Sequence, residues 1–186
     1  MHEQKINRLA FFILLGTFLS ACIQAGEQET KPEGKESVGV VEMKIASPAF
    51  KHGEQIPKKY TCEGEDASPP LSFAEIPGGA KSLALIVDDP DAPGGTFDHW
   101  IVWDIAPEQK ELKEGEKVEY QGRNDFGELR YRGPCPPRGR VHRYFFRLYA
   151  LDATLNLPNG ASREELEKAM QNHILAKAEL VGTYKR

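Results

Sequence analysis

Long apolar runs are almost absent from these 186 residues. The one clear run, Leu9 to Leu19, is too short to span a bilayer as a permanent helix. Concentrated positive charge is missing too. The net charge is −4, the pI is near 5.8, and the arginines between Arg130 and Arg147 are spread through a loop and a strand. Nucleic-acid binding depends on a dense cationic face, so no nucleic-acid partner is expected. The acidic balance also argues against tight docking on anionic lipid surfaces. The common catalytic signatures are absent: no G-x-S-x-G, H-E-x-x-H, P-loop or G-x-G-x-x-G occurs. There is no internal repeat, and cysteine is scarce, with three in the whole chain.

What the N-terminus does have is the layout of an export signal. Lys5 and Arg8 form a basic start, the short apolar run follows, and Leu19-Ser20-Ala21 leads into Cys22. Small residues directly before a cysteine match a bacterial lipoprotein signal, in which Cys22 is lipidated and becomes the new N-terminus. The alternative is an ordinary cleaved signal with a chance cysteine. Residues 1–21 are thus read as a lipoprotein signal peptide and 22–40 as a lipid-anchored linker. That linker is polar, rich in Glu, Gly and Lys, and too poor in apolar side chains to offset the entropy of ordering it. The expected location is the bacterial cell envelope, on its extracytoplasmic face, with membrane attachment through the lipid. Residues 41–186 remain as one domain.

Lipidation of Cys22 leaves Cys62 and Cys135, an even number in an oxidising compartment, and a disulfide between them is expected. It would close a loop of more than 70 residues and stabilise by roughly 4 kcal/mol in the chain-entropy description. Two buried free thiols are the alternative, since sequence does not give the distance between them.

Within 41–186, Pro and Gly punctuate strand-length apolar runs. Leu83 to Val87 is nearly continuous, as in a buried central strand, and Ile101 to Ile105 is similar. Arg143 to Leu151 is aromatic and branched. Period two puts His142, Tyr144, Phe146 and Leu148 on one face and Arg143, Phe145, Arg147 and Tyr149 on the other. Ser162 and Glu165 form a capping box, and helical spacing continues through His173 and Ile174, predicting a helix from about Arg163 to about Ala178. Ala178 to Tyr184 reads as a terminal edge strand. The fold class is mostly antiparallel β with one or two helices late in the chain.

Two segments carry the chemistry. In Asp88-Asp89-Pro90-Asp91-Ala92-Pro93, two prolines stiffen a turn that crowds three carboxylates. Such crowding requires compensation by hydrogen bonds, an arginine or a metal; an ordinary Asp-Pro turn is the bland alternative. His99-Trp100 follow shortly after. The second segment runs from Tyr131-Arg132-Gly133-Pro134-Cys135-Pro136-Pro137 into His142-Arg143-Tyr144. An imidazole and a phenol on one strand face suit a phosphate or carboxylate oxygen, or else simply pack in a core.

Together, DPDAP, HW, GPCPP and HRYFFRLYALD resemble the phosphatidylethanolamine-binding protein family, also called the Raf kinase inhibitor family, in its bacterial branch. YTCEGED, SPPL, NDFG and AKAELVGTY look like the same branch, and the resemblance covers roughly residues 43–185. It implies a large antiparallel sheet packed with a smaller one and helices near the C-terminus. It also implies a small anion pocket formed by Asp89, Pro90, Asp91, Pro93, His99, Gly133, Pro136, His142 and Tyr144, with no cofactor. The ligands implied are phosphate-like groups, a phospholipid head group, or a phosphorylated or acidic partner. Between loop and histidine this chain has only Arg138-Gly139-Arg140-Val141, which brings two arginines near the expected mouth.

Three functions compete. The first is a non-catalytic anion binder, as a head-group sensor or as a regulator or inhibitor of a kinase- or protease-type envelope partner. The second is a metal-dependent phosphoester hydrolase using Asp89, Asp91, His99 and His142. The third is an interaction lipoprotein with a vestigial pocket. The sequence leaves the oligomeric state open, a homodimer included.

Overall fold

The computed structural model describes residues 42–186. The signal peptide, Cys22 and the whole linker therefore lie outside the described residues. Among those described, no helix is long and apolar enough to cross a membrane.

Among the described residues, seven strands form two antiparallel sheets. The smaller contains β1 (Lys44–Ala46), β2 (Leu71–Ala74) and β5 (Glu111–Leu112) in the order β1-β2-β5. The larger contains β3 (Ser82–Asp89), β4 (Phe97–Ile105), β6 (Val141–Leu151) and β7 (Ile174–Lys185) in the order β4-β3-β6-β7. The continuous apolar run reads as it does because β3 is central and buried at every residue. One of its faces packs on the smaller sheet: Leu83, Leu85 and Val87 join Phe146, Leu148, Leu71 and Phe73 in one cluster. On the other face, Ala84 and Ile86 join Ile101, Trp103, Leu166 and Met170 beneath the helix α1 (Arg163–Met170). In β6 the expected alternation holds, with His142, Tyr144, Phe146 and Leu148 buried and the intervening residues partly or fully exposed.

The capping box of α1 is formed in both directions between Ser162 and Glu165. The helix ends at Met170, however, and not near Ala178. Asn172 adopts φ 65°, a left-handed conformation that asparagine tolerates better than most residues, and the chain reverses. A spacing of four suits a strand as well as a helix. Pairing along the whole of β6, from Ile174 opposite Leu151 to Lys185 opposite Val141, decides the matter for strand. His173 consequently sits in the turn and bonds through Nδ1 to Asp152 Oδ1 at 2.7 Å.

Cys62 and Cys135 are joined in a disulfide with Cα atoms 5.4 Å apart, linking the segment after the 3-10 turn Lys58–Tyr60 to the loop before β6. Gly133 lets these two stretches touch. A Cβ there would fall 2.3 Å from the Tyr60 carbonyl oxygen and 2.6 Å from Thr61 Cα.

Candidate functional site

At the ends of β3 and β6, strand alternation separates the crowded carboxylates and gives each its own compensation. Asp88 lies on the α1 face, 1% exposed as a side chain, with Arg147 Nε and Arg163 Nη1 each 3.0 Å from Oδ2. Arg163 also reaches Asp98 Oδ1 at 2.8 Å, and burial raises the Asp98 pKa even though Arg163 opposes it. Asp91 turns outward and accepts from the Arg143 backbone N–H and both arms of its guanidinium, at 3.0, 2.8 and 2.6 Å. That arginine holds the Asp91 carboxyl down at about 2. Asp89, one residue along from Asp88, points to the opposite sheet face and accepts from His142 Nδ1 at 2.8 Å.

His142 and Asp89 are both buried. The bond fixes the His142 tautomer with its proton on Nδ1 and leaves Nε2 uncommitted. His99 has the same arrangement through a different acceptor: Nδ1 donates to the Arg132 carbonyl at 2.6 Å. Burial lowers the His99 pKa despite the raising effects of that carbonyl and of Asp89. Tyr144 packs edge-on against His99, ring centroids 5.2 Å apart. Its hydroxyl is buried and meets no hydrogen-bond partner of good geometry. Burial first, and then the charge and close but poorly aligned approach of Asp89, push its pKa far up, so it stays a donor.

A cavity of about 170 Å3 opens over Asp89, His99 and His142. Phe97 and Phe126 form one wall, Ala92 and Pro93 another, and Cys135, Pro136 and Pro137 close it. The phenyl rings meet edge-on at 4.9 Å, and each centroid lies 5.5 Å from that of His99. The Arg132 guanidinium covers Phe126 at 4.9 Å. Buried Asn124 shapes this loop by accepting from the N–H groups of Phe126 and Glu128 at 3.1 and 2.9 Å. No lysine or arginine lines the cavity; Arg138 and Arg140, which follow the lining residue Pro137 in the chain, are exposed.

Asp89, Pro93, His99, Pro136 and His142 therefore come together around one cavity, with Tyr144 packed against His99. Tyr144, Pro90, Asp91 and Gly133 do not line it. Pro90 belongs to the turn, Asp91 is bound to Arg143, and Gly133 donates to Asp66 Oδ1 at 2.6 Å while making room for Tyr60. The wall residues Phe97, Phe126, Ala92 and Pro137 are additions, as is Cys135 in that role. Phe97 had a signal, since it stands two residues before His99 on one strand, where period two returns to the same face. Phe126 stood in the NDFG stretch without any hint of its partner rings.

The fold is mostly β, two antiparallel sheets with a small polar-floored cavity at one end of the larger one, and comparison with known proteins places it. The family model for phosphatidylethanolamine-binding protein matches residues 46–185. A UPF0098 protein of Pyrococcus horikoshii is 48% identical over 188 residues, covering 96% of this chain and 87% of that protein. One from Methanothermobacter thermautotrophicus is 51% identical, covering 77% of this chain and 99% of its own. Among solved structures, a Chlamydia trachomatis protein described as a phosphatidylethanolamine-binding protein homologue superposes with TM-score 0.76 at 47% identity, covering 78% of this chain and 99% of that one. Escherichia coli YbcL, described as a member of the mammalian family, gives 0.73 at 33% identity with the same coverage. The chain belongs to the phosphatidylethanolamine-binding protein family.

Proposed function

We propose that the protein binds a small anionic group without catalysis: a phosphate, a phospholipid head group, or a phosphorylated or acidic side chain of a partner. The observation that carries this reading is the pair of cavity-lining imidazoles, His99 and His142, each bound through Nδ1 with Nε2 uncommitted. It is backed by the buried Tyr144 hydroxyl, which packs against His99 and makes no hydrogen bond of good geometry. A buried hydroxyl without a partner costs about 1–3 kcal/mol, a cost that a bound oxygen would remove. The two Nε2 atoms can donate to the same oxygens once protonated. The family description adds an ethanolamine phosphate as a concrete candidate, and the ring wall would enclose the organic part of such an ester.

The metal-dependent hydrolase reading has a poorer fit. Asp91 is occupied by Arg143, and no three metal-ligating side chains converge among the described residues. The envelope setting, with Cys22 as lipid anchor and a kinase- or protease-type partner, rests on the sequence pattern and belongs to the same proposal.

Tyr144→Phe tests the reading, with O-phosphoethanolamine as titrant and denaturant unfolding alongside. The expected result is a loss of affinity of about tenfold, from one lost hydrogen bond to a charged group, with stability unchanged or raised. Unchanged affinity would remove the hydroxyl from the support for this reading.

A further inference from the structure

We propose that the Cys62–Cys135 bridge is a thiol–disulfide exchange site, opened by a dithiol reductant, whose reduction weakens anion binding in the adjoining cavity. The last part rests on the binding proposed above; the exchange itself does not.

Cys135 has two relationships that a purely structural bridge does not need. It forms part of the cavity wall shared with His99 and His142. Its sulfur also receives a hydrogen bond from Arg186 Nη1 at 3.2 Å, and the Nε of that arginine is buried without a partner. A guanidinium against one sulfur of a bridge makes that sulfur the better leaving thiolate, and the better leaving group departs faster. Both cysteines are half-buried, neither sealed in the core nor fully open. Glu63, beside Cys62, is negative, but its carboxylate is engaged by Tyr184 Oη at 2.6 Å.

In the exchange, a thiolate of the reductant attacks Cys62 Sγ. The Sγ–Sγ bond breaks and its electron pair leaves on Cys135 Sγ, facing Arg186. The second thiol of the reductant, losing its proton, then attacks its own sulfur in the mixed disulfide and releases Cys62. Two electrons and one proton pass to the protein, leaving Cys62 as a thiol and Cys135 as a thiolate paired with Arg186; the second proton goes to solvent and the reductant becomes a disulfide.

The neighbouring contacts keep the loop in place once the bridge opens. Cys62 N–H donates to the Pro134 carbonyl at 3.2 Å, Tyr131 Oη donates to the Tyr60 carbonyl at 3.0 Å, and Gly133 N–H holds Asp66. What changes is charge. A Cys135 thiolate in the wall repels an anion beside it, by about 1 kcal/mol per 4 Å pair in water-like surroundings, or roughly fivefold in affinity.

The test uses the purified oxidised protein and its Arg186→Gln variant. Free thiols are counted over time in dithiothreitol, the fold is followed by circular dichroism, and O-phosphoethanolamine is titrated before and after reduction. The expected result is reduction without unfolding, at least about threefold slower in Arg186→Gln, with roughly fivefold weaker binding that returns on reoxidation. Equal rates in the two proteins, reduction only with unfolding, or unchanged affinity after reduction would each overturn the proposal. If the oxidised protein fails to bind the probe, the anion-binding reading fails and the coupling to it falls with it, while the two reduction rates still decide the exchange site.

Discussion

Asp89 and His142, 53 residues apart, meet side chain to side chain across the adjacent strands β3 and β6, carboxylate Oδ2 to imidazole Nδ1 at 2.8 Å. Both are buried, so neither can turn to water if the other is removed. Asp89→Ala is therefore expected to cost about 1–3 kcal/mol of stability and to release the His142 ring from its single tautomer. Urea unfolding reads the first effect, and the nitrogen chemical shifts of the imidazole read the second. An unchanged midpoint would mean that the pair is not formed.

On the opposite sheet face, Arg163 ties α1 to Asp88 and Asp98. Arg163→Ala leaves two buried carboxylates with reduced compensation, Arg147 still serving Asp88. The expected loss is about 3 kcal/mol, the low end for breaking a buried ion pair, with no change in ligand affinity because the cavity lies on the other face. Affinity and unfolding measured on the same preparation separate the two effects.

The ring wall calls for a different comparison. Phe126 is 38% exposed, so Phe126→Ala should cost little stability, about 1 kcal/mol. It removes one side of the enclosure, so O-phosphoethanolamine should lose more affinity than inorganic phosphate does. Equal losses would place the organic part of the ester outside this wall.

Acid stability follows from two shifts of known sign. Burial lowers His99 below the ordinary imidazole value of 6.5. Its contribution is complete above about pH 6.5 and fades as pH falls through the depressed value, because the unfolded chain takes up the proton first. Asp91, held at about 2 against an ordinary 3.8, contributes above 3.8 and loses its share as pH falls towards 2. Denaturant unfolding between pH 8 and 5 should show a decline that His99→Asn reduces. Asp91→Asn should leave that decline intact and reduce the loss below pH 4.

Ligand binding should have the opposite slope at mild acidity. The His99 Nδ1 is committed to the Arg132 carbonyl, so that ring can add to the hydrogen bond from Tyr144 only through a protonated Nε2. Binding of a phosphate ester should tighten from pH 8 to 6 and take up protons, measurable by calorimetry in two buffers of different ionisation heat. Binding without proton uptake would mean that the His99 imidazole is not a donor.

How far these features were legible in the sequence depends on how local their causes are. Period two alone gave the buried face of β6, and the capping box alone gave the start of α1. The end of α1 was not local, because a spacing of four fits both periodicities and only pairing with β6 decides. The same holds for the site. Asp89, His99 and His142 stand in conspicuous motifs, whereas Phe126 enters through a loop that Asn124 folds and Arg132 covers. The division of labour among Asp88, Asp89 and Asp91 was equally hidden, since it depends on which face of the sheet each reaches and on the arginines there.

The central claim is that His142, held by Asp89, helps to grip an anion at the cavity floor. Calorimetric titration of the wild type and His142→Ala with O-phosphoethanolamine, and then with inorganic phosphate, tests it most directly. Saturable binding by the wild type, weakened about tenfold or more in the variant and without turnover of the ester, is the expected result. Binding of equal strength in both proteins, or none in either, would contradict the account.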